Sequence, residues 1–329
     1  MKKTITIVIP TYNEEANVLN TYDRLSRVFQ TELPEYRMEL LYIDNDSADD
    51  TRKLITSLAT RDPDVKAIFN ARNFGYSRSI FYGLTQAEGD CAVLMNADMQ
   101  DPPEVIPEMV KKWEEGSQVV VGIKSKSKES PLMYLIRSIY YRFVAAVSEV
   151  EHIEHFDGFG LYDASFIKIL RELHDPVPYL RGIVSELGCD RGEVHYEQDI
   201  RRGGKSSFNF LRLYDVAMLG ITSYSKAFMR LATFLGAGIG GVSLLIALFT
   251  FIRKLLFWDT FPIGTAAISI GVFFFGGLQL FFTGIIGEYI SYINLRVMDR
   301  PLVIEKKRLN FEKKSAGKEE EPEYAAAKE

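Results

Sequence analysis

Cysteine is scarce in this sequence. Cys91 and Cys189 are the only two among 329 residues, and neither has a second Cys or a His at the spacing of a metal site. A metal centre built on cysteine is therefore not expected. We expect both residues to be free thiols in a protein that works in a reducing compartment.

Two further absences limit the possible functions. The 39 Lys and Arg against 44 Asp and Glu give a net charge of only -5, which does not indicate a nucleic-acid partner. The first residues, Met1, Lys2 and Lys3, lead directly into an alternating strand, without the apolar stretch or cleavage site of a signal peptide. We expect the first domain to stay in the cytosol.

Long uncharged runs are missing from about the first 225 residues but present after them. Residues 231–252 and 263–290 are almost free of charge, and each run is long enough to cross a bilayer. The short link between them carries Arg253, Lys254, Trp258 and Asp259, which predicts a hairpin of two spans. A buried core hairpin is the alternative, and the length of the runs disfavours it.

Basic residues flank the outer ends of this predicted hairpin and outnumber those in its link. They are Lys226 and Arg230 before it, and Arg296, Arg300, Lys306, Lys307 and Arg308 after it. The positive-inside rule then puts both ends in the cytoplasm. Glycines in both runs permit close helix contact, including contact between subunits of a homo-oligomer; they are Gly236, Gly238, Gly240, Gly241, Gly276 and Gly277.

Apolar runs and helical periodicity alternate along the first domain. Residues 4–10, 39–43, 65–70 and 91–95 are typical of strands, and residues 15–30, 50–58 and 76–87 of helices. Such alternation predicts an α/β fold with a mostly parallel sheet covered by helices on both faces. Ligands bind at the carboxyl ends of such strands, so the loops near Pro10, Asp44, Asn70 and Asn96 should line one site.

The remaining segments complete the predicted domain organisation. We expect residues 1–210 to form the cytosolic α/β domain, 211–229 a juxtamembrane amphipathic helix, 230–293 the hairpin, and 294–329 a cytosolic basic segment with a disordered tail. Residues 132–147 are also amphipathic and fit a membrane-surface helix or a core helix equally well. Adjacency to the apolar runs favours the membrane surface for residues 211–229.

An acidic turn follows the strand at residues 91–95. It places Asp98 and Gln100 at the mouth of the predicted sheet, where their oxygens suit Mg2+ or Mn2+. Such ions take few carboxylates and complete their coordination with diphosphate oxygens and water. An acidic turn is more often plain surface, but its coincidence with the ligand-binding edge favours a function.

Three ordered motifs together resemble family 2 glycosyltransferases: IVIPTYNEE at residues 7–15, DNDS at 44–47 and NADMQDPP at 96–103. The hairpin narrows the resemblance to polyprenyl-phosphate glycosyltransferases, such as bactoprenol glucosyltransferases and dolichyl-phosphate mannose synthase. The resemblance implies a GT-A, Rossmann-like domain. It also implies inverting transfer of a sugar from a UDP- or GDP-linked donor to an undecaprenyl- or dolichyl-type phosphate, for modification of cell-envelope glycans. The expected location is the plasma membrane of a bacterium or archaeon.

The resemblance also implies roles for individual residues. Asp98 would act in catalysis and bind the metal with help from Gln100. The donor nucleotide would be held by Pro10, Tyr12, Glu14, Asp44, Asn45, Asn96 and Ala97. Alternatives are open for this region, because Pro10 and Asp46 also suit turns, and Ser47 or Asp49 could cap the next helix.

The segment RRGGKSS at residues 201–207 resembles the basic loop that precedes the membrane in this family. Its glycines let backbone amides approach a phosphate, and its basic side chains supply charge and donors. Arg201, Arg202, Lys205 and Ser206 would hold the lipid phosphate, the donor diphosphate or both. A basic patch attracted to anionic lipid is the alternative, and the two roles are compatible.

The sequence departs from the family pattern at three places. Asn96 stands where Asp is commoner, Asn45 and Asp46 stand where Asp and Gly are commoner, and Gly158 stands where an acidic residue is expected. The nearest carboxylate, Asp157, is the candidate catalytic base. A lipid phosphate is already anionic at neutral pH, so a strong base is unnecessary.

Three other functions fit the sequence less well. A transferase with a protein or polysaccharide acceptor is disfavoured because a polymer-extruding synthase needs more spans. Asn96 and Gly158 motivate a second alternative, a non-catalytic nucleotide-binding membrane scaffold, which retention of Asp98, Gln100 and the basic loop disfavours. A transporter is disfavoured because neither apolar run contains a central ionisable pair.

Overall fold

The computed structural model describes residues 2–124, 153, 156–176, 178–198, 234, 238, 242, 245, 252, 256, 265–298 and 300–311. Its elements, numbered along these residues, are β1 (Thr4–Thr11), α1 (Val18–Glu32), β2 (Arg37–Asp44), α2 (Thr51–Arg61), β3 (Val65–Asn70), α3 (Tyr76–Gln86), β4 (Cys91–Leu94), the 3-10 turn Pro103–Val105, α4 (Ile106–Glu114), β5 (Val119–Lys124), β6 (Gly160–Asp163), α5 (Ala164–Glu172), α6 (Leu180–Glu186), β7 (Arg191–Tyr196), α7 (Thr265–Val297) and β8 (Glu305–Leu309).

The strands form one sheet in the order β7-β5-β6-β4-β1-β2-β3-β8. Strands β1 to β5 and β7 run in one direction, while β6 and β8 run against them. The predicted α/β fold with a mostly parallel sheet is therefore confirmed. The four predicted strands and three predicted helices of the first domain are present, with ends shifted by a few residues.

Helices cover both faces of the sheet. Successive side chains of a strand point to opposite faces, and the apolar side chains on each face are buried. On β1, Ile7 and Ile9 join a core cluster with residues of α1, α2 and α4. Val8 points the other way and joins a second cluster with residues of α3, α5 and α6. Gly83 allows α3 to approach closely, since a Cβ there would lie 2.7 Å from a Val8 methyl group and 2.8 Å from Ile43 Cγ1.

Strand β8 was not predicted, because its sequence EKKRL lacks an apolar pattern. The segment after the second apolar run returns to the domain and adds an antiparallel strand beside β3. The Asn310 amide secures its end by donating to the carbonyl oxygens of Ala59 at 2.6 Å and Val65 at 2.9 Å. At least residues 305–309 of the predicted basic segment therefore belong to the catalytic sheet.

Helix α7 covers most of the second apolar run and continues to Val297. Its described side chains include the exposed residues Ile268, Ile290 and Ile293. Among the described residues, no helix is both long and apolar enough to cross a membrane. Most of the first apolar run, the hairpin link and the amphipathic segments 132–147 and 211–229 lie outside the described residues.

The contacts of Asn310 predict how strongly β8 is held. Asn310→Gly keeps the positive φ of 59° accessible but removes the amide donor. We expect it to lower the free energy of unfolding by about 1–2 kcal/mol, measured by thermal unfolding, and to speed proteolysis near residue 305. Lys307→Ala, at an exposed position of the same strand, is the control. Equal behaviour of the two variants would contradict this role.

Candidate active site

The loops predicted to line the site do lie together at the carboxyl edge of the sheet. Asn45 follows β2 and donates to the Asn73 side chain at 2.8 Å, beyond the end of β3. Tyr76, at the start of α3, donates to Asn96 Oδ1 at 2.8 Å, beyond the end of β4. Parallel strands bring these distant loops to one edge because their ends are aligned.

Asp44 is fully buried at the end of β2, and its carboxylate has internal partners. It accepts from the Ser47 backbone N–H at 3.2 Å and forms an ion pair with Arg52. Arg52 also lies 3.1 Å from Asp46, whose φ of 67° is left-handed. These contacts bear out the turn-forming alternative for Asp46, and they give Asp44 a structural role that the motif did not indicate.

The end of β1 and the loop after it present the predicted donor residues more openly. Pro10 lies within β1 and is partly buried, Tyr12 in the loop is 48% exposed, and the partly buried Glu14 accepts from the Asn17 amide at 2.6 Å. Asn13 fixes this loop to the one after β2, because its backbone N–H donates to Ser47 Oγ at 2.9 Å. Tyr12 and Glu14 are thus placed at the rim of the edge.

Asn70 forms part of an amide network that the motifs did not reveal. It is fully buried and donates to Asn45 Oδ1 at 3.2 Å, which also accepts from the Phe74 backbone N–H at 3.0 Å. Its Oδ1 is the buried side-chain atom without a hydrogen-bond partner among the described residues. Asn45 therefore shapes the loop that leads to α3, in addition to any contact with a donor.

The acidic turn is compact and strained at one residue. Asp98 Oδ1 accepts from the Gln100 backbone N–H at 3.2 Å, and Met99 between them has a φ of 61° with a buried side chain. Asp98 and Gln100 are both partly exposed, whereas Ala97 is buried. Left-handed conformation costs a non-glycine residue about 1 kcal/mol or more, so the turn is held by its surroundings.

Asp101 closes this turn from within the protein. Its buried carboxylate accepts from the Tyr196 hydroxyl at 2.6 Å and from the Asn96 amide at 3.0 Å. Lys124 Nζ lies 4.0 Å from Asp101 and 2.5 Å from Asp157. Burial, followed by the charge of Asp157, raises the pKa of Asp101 to about 6.

The structure therefore brings Asp157 to the same edge as Asn96 and the acidic turn. Gly158 next to it has a φ of 113°, a conformation that a residue with a Cβ rarely adopts. An acidic side chain at position 158 would thus be strained in this backbone. Asp157 also accepts from the Phe159 backbone N–H at 3.3 Å, which orients its carboxylate.

Sequence reasoning missed four neighbours of the predicted residues: Tyr76, Asp101, Lys124 and Tyr196. Asp101 lies inside the acidic motif and could have been noticed there. Lys124 is the last residue of β5 and Tyr196 the last residue of β7. The two residues pair directly across these parallel strands, but neither belongs to a motif. The predicted phosphate-binding residues Arg201, Arg202, Lys205 and Ser206 lie outside the described residues.

A separate cleft of about 650 Å3 lies at the C-terminal end of α3, among residues that include Tyr82, Arg171, His174 and Leu302. Because α3 starts at the carboxyl edge, its end lies at the opposite edge of the sheet. The cleft contains none of the predicted site residues.

Comparison with known proteins identifies the family. The sequence model of Glycosyl transferase family 2 matches residues 6–186, more than half of the chain. The protein belongs to glycosyltransferase family 2. The resemblance inferred from the three motifs is thereby confirmed, and the mostly parallel sheet is that of a GT-A-like domain.

Individual relatives of this glycosyltransferase are similar over nearly their whole length. The uncharacterized glycosyltransferase YkcC of Bacillus subtilis is 33% identical over 94% of this chain and 95% of its own. Bactoprenol glucosyl transferase of Shigella phage SfII is 32% identical over 92% of this chain and 97% of its own. Among solved structures, mannosyltransferase PcManGT of Pyrobaculum calidifontis with GDP-Man and Mn2+ is 15% identical, with a TM-score of 0.47 over 92% of this chain and 85% of that one.

The raised pKa of Asp101 predicts the direction in which stability changes with pH. Its carboxyl has a pKa of about 6 in the fold and about 3.9 in an unfolded chain, so the folded glycosyltransferase binds this proton more tightly. Ionisation of Asp101 between about pH 4 and 6 therefore reduces stability. Asp101→Asn removes this loss, and we expect its melting temperature to rise relative to the wild type as pH increases through that window.

Thermal unfolding with a chelator present measures this difference. Asp163→Asn is the control: burial acts to raise its pKa, but hydrogen bonds from Ser165 and Trp113 outweigh it and leave the pKa of Asp163 lowered. Its effect should therefore change below about pH 4 and stay constant above it. A melting-temperature difference for Asp101→Asn that does not vary between pH 4 and 6 would contradict the prediction.

Proposed function

We propose that this glycosyltransferase transfers a sugar from a UDP- or GDP-linked donor to a polyprenyl phosphate, with inversion at the anomeric carbon. The product is a lipid-phosphate-linked sugar for modification of cell-envelope glycans. The observation that carries the proposal is the similarity to bactoprenol glucosyl transferase over 92% of this chain and 97% of that protein. That similarity includes both the catalytic domain and the apolar runs.

The acidic turn fits a divalent cation bound together with a donor diphosphate. No cluster of three or more His, Cys, Asp or Glu exists among the described residues, so these residues do not form an all-protein metal cage. One carboxylate at a ligand-binding edge is instead the arrangement expected for Mg2+ or Mn2+ that completes its shell with phosphate oxygens and water. Asp98 and Gln100 would hold the ion, which neutralises charge on the departing nucleoside diphosphate.

The proposed reaction depends more on the alignment of the reacting atoms than on proton transfer. A phosphate oxygen of the lipid forms the new bond to the anomeric carbon, and the bond from that carbon to the donor diphosphate breaks. The acceptor phosphate is an anion at neutral pH, so no proton has to be removed. Asp157 paired with Lys124 then serves to organise charge near the acceptor, and Lys124 reduces the repulsion between Asp157 and an incoming phosphate.

The acceptor is lipid, which is consistent with a membrane hairpin formed by residues 231–252 and 263–290. Strands β1 to β7 precede the apolar runs and β8 follows them, yet all belong to one sheet, so the two ends of the proposed hairpin should lie on the same side of the membrane. An even number of crossings satisfies this condition. Exposed apolar side chains on α7 support contact with a bilayer.

The proposed location is the plasma membrane, with the catalytic domain in the cytoplasm. Arg201, Arg202, Lys205 and Ser206 would hold a phosphate of the lipid or of the donor just ahead of the first run. Among the described residues, no atom lies within 4 Å of a Cβ added at Gly238, Gly276 or Gly284, which is compatible with close contact by a second copy of the chain. Self-association is part of the proposal for this reason.

Sugar transfer tests the proposed reaction directly. Membranes containing the protein are offered a panel of radiolabelled nucleotide sugars with undecaprenyl phosphate and Mn2+ or Mg2+. We expect lipid-extractable label from one donor, lost with chelator and reduced about 100-fold or more by Asp98→Ala. Asp23→Ala, an exposed aspartate on α1, is the matched control and should keep full activity.

The outcomes separate this reaction from the alternatives. Transfer to protein or polysaccharide in place of lipid would point to a different acceptor. Nucleotide binding without transfer from any donor would favour the scaffold function suggested by Asn96 and Gly158. A residue with a side chain would be strained at the φ of 113° that Gly158 adopts, so we propose that the neighbouring Asp157 takes the role of the missing acidic residue.

Membrane attachment is tested separately by alkaline extraction of membranes from cells that express the full chain. We expect the protein to stay in the membrane pellet and to be released only by detergent, because two apolar spans resist extraction. A chain ending at residue 229 should be released by the alkaline wash. Release of the full chain under the same conditions would overturn the hairpin.

A further inference from the structure

Asp101 is a fully buried ionisable group at the carboxyl edge, and none of the proposed roles uses it. Its side chain is buried between the acidic turn and the ends of two strands that are distant in sequence. Asn96, which follows β4, and Tyr196, which ends β7, each donate a hydrogen bond to Asp101, and the Lys124 ammonium at the end of β5 lies 4.0 Å away. One carboxylate thus connects the acidic turn to two neighbouring strands.

The Tyr196 hydroxyl has little freedom to point elsewhere. Its ring packs edge-on against Phe159, with the centroids 5.2 Å apart. Gly122 lies against both rings, since a Cβ there would be 2.7 Å from Phe159 and 3.1 Å from Tyr196. Burial and the nearby Asp101 raise the pKa of Tyr196, so the phenol stays protonated and donates at neutral pH.

Asp101 also determines how the Asn96 amide is turned. The Asn96 nitrogen donates to the Asp101 carboxylate at 3.0 Å, so the Asn96 oxygen faces the other way. That oxygen accepts from the Tyr76 hydroxyl at 2.8 Å. The orientation of Asn96, two residues before Asp98, is therefore set by Asp101 on one side and Tyr76 on the other.

We propose that Asp101 is a positioning residue for sugar transfer, which holds the Asn96–Gln100 turn in its binding geometry through the Tyr196 hydroxyl and the Asn96 amide. The inference rests on the proposed function, because it is the metal and donor site whose geometry Asp101 maintains. Asp101 itself contacts neither substrate nor metal. Its effect reaches them through the turn that carries Asp98 and Gln100.

Two conservative variants test this role. Asp101→Asn preserves shape but removes the acceptor-only carboxylate, and Tyr196→Phe removes one hydroxyl while keeping the ring contact with Phe159. Both variants alter the same hydrogen bond between Tyr196 and Asp101, so we expect each to lower kcat about 10- to 100-fold. The double variant should be no more impaired than the more severe single variant. The Mn2+ concentration for half-maximal activity should rise several-fold in all three.

The matched control is Tyr22→Phe. Tyr22 donates to Asp62 at 2.8 Å, so this variant breaks a similar Tyr–Asp hydrogen bond between α1 and the end of α2, away from the turn. We expect it to change the melting temperature but neither kcat nor the Mn2+ requirement. A general loss of stability would affect Tyr22→Phe and Tyr196→Phe alike, whereas a positioning role affects only the latter.

A binding measurement keeps the test independent of turnover. Calorimetry with Mn2+ and UDP, and with Mn2+ and GDP, on the purified full chain should show weaker metal-dependent binding in Tyr196→Phe and Asp101→Asn than in the wild type. If the wild type binds but transfers no sugar, the proposed function fails while the binding comparison still decides the role of Asp101. Unchanged binding and an unchanged Mn2+ requirement in both variants would overturn the inference.

Discussion

Repulsion between carboxylates is the constraint on which the carboxyl edge of this sheet depends. Parallel strands deliver acidic residues to one place, and a buried negative charge without a partner is costly. In two places at this edge, a basic side chain lies near two carboxylates and offsets their charge. Arg52 lies between Asp44 and Asp46, and Lys124 lies between Asp101 and Asp157. Each cation serves two carboxylates, and each pair flanks a loop of the predicted donor site.

The same principle explains why Asn96 suits this chain. An aspartate at position 96 would set its carboxylate against that of Asp101, where the amide nitrogen now donates at 3.0 Å. Repulsion between two carboxylates at that separation raises the pKa of one of them. The amide instead supplies a donor to Asp101 and an acceptor to Tyr76, so the departure from the commoner family pattern is compensated by neighbours within the structure.

Much of the fold follows from the sequence, and the exceptions have a common cause. Residues 4–10 and 65–70 were recognisable as strands because their side chains are buried on both faces and therefore apolar. Strand β8 was not, because an edge strand with Lys306 and Lys307 exposed needs no apolar pattern. Its position depends on tertiary contacts, such as those of Asn310, that sequence periodicity does not report.

Some residues of the candidate site were predictable from the sequence, and others were not. Asp98 and Gln100 were predictable because a local motif places them directly after a strand. Lys124 and Tyr196 were not, since 23 and 95 residues separate them from Asp101 and no spacing rule connects them to it. Asp157 lies between these cases: the motif located the region, but the ion pair of Asp157 with Lys124 depends on the fold and follows from no motif.

The ion pair between Asp157 and Lys124 bears on the proposed mechanism. If the acceptor is a phosphate anion, a carboxylate near it is tolerable only when its charge is offset, and Asp157 meets that condition through Lys124 at 2.5 Å. A glycosyltransferase acting on an alcohol would need a carboxylate free to take a proton, whereas the Asp157 carboxylate is engaged in an ion pair with Lys124. This contact is consistent with the phosphate acceptor proposed for the enzyme.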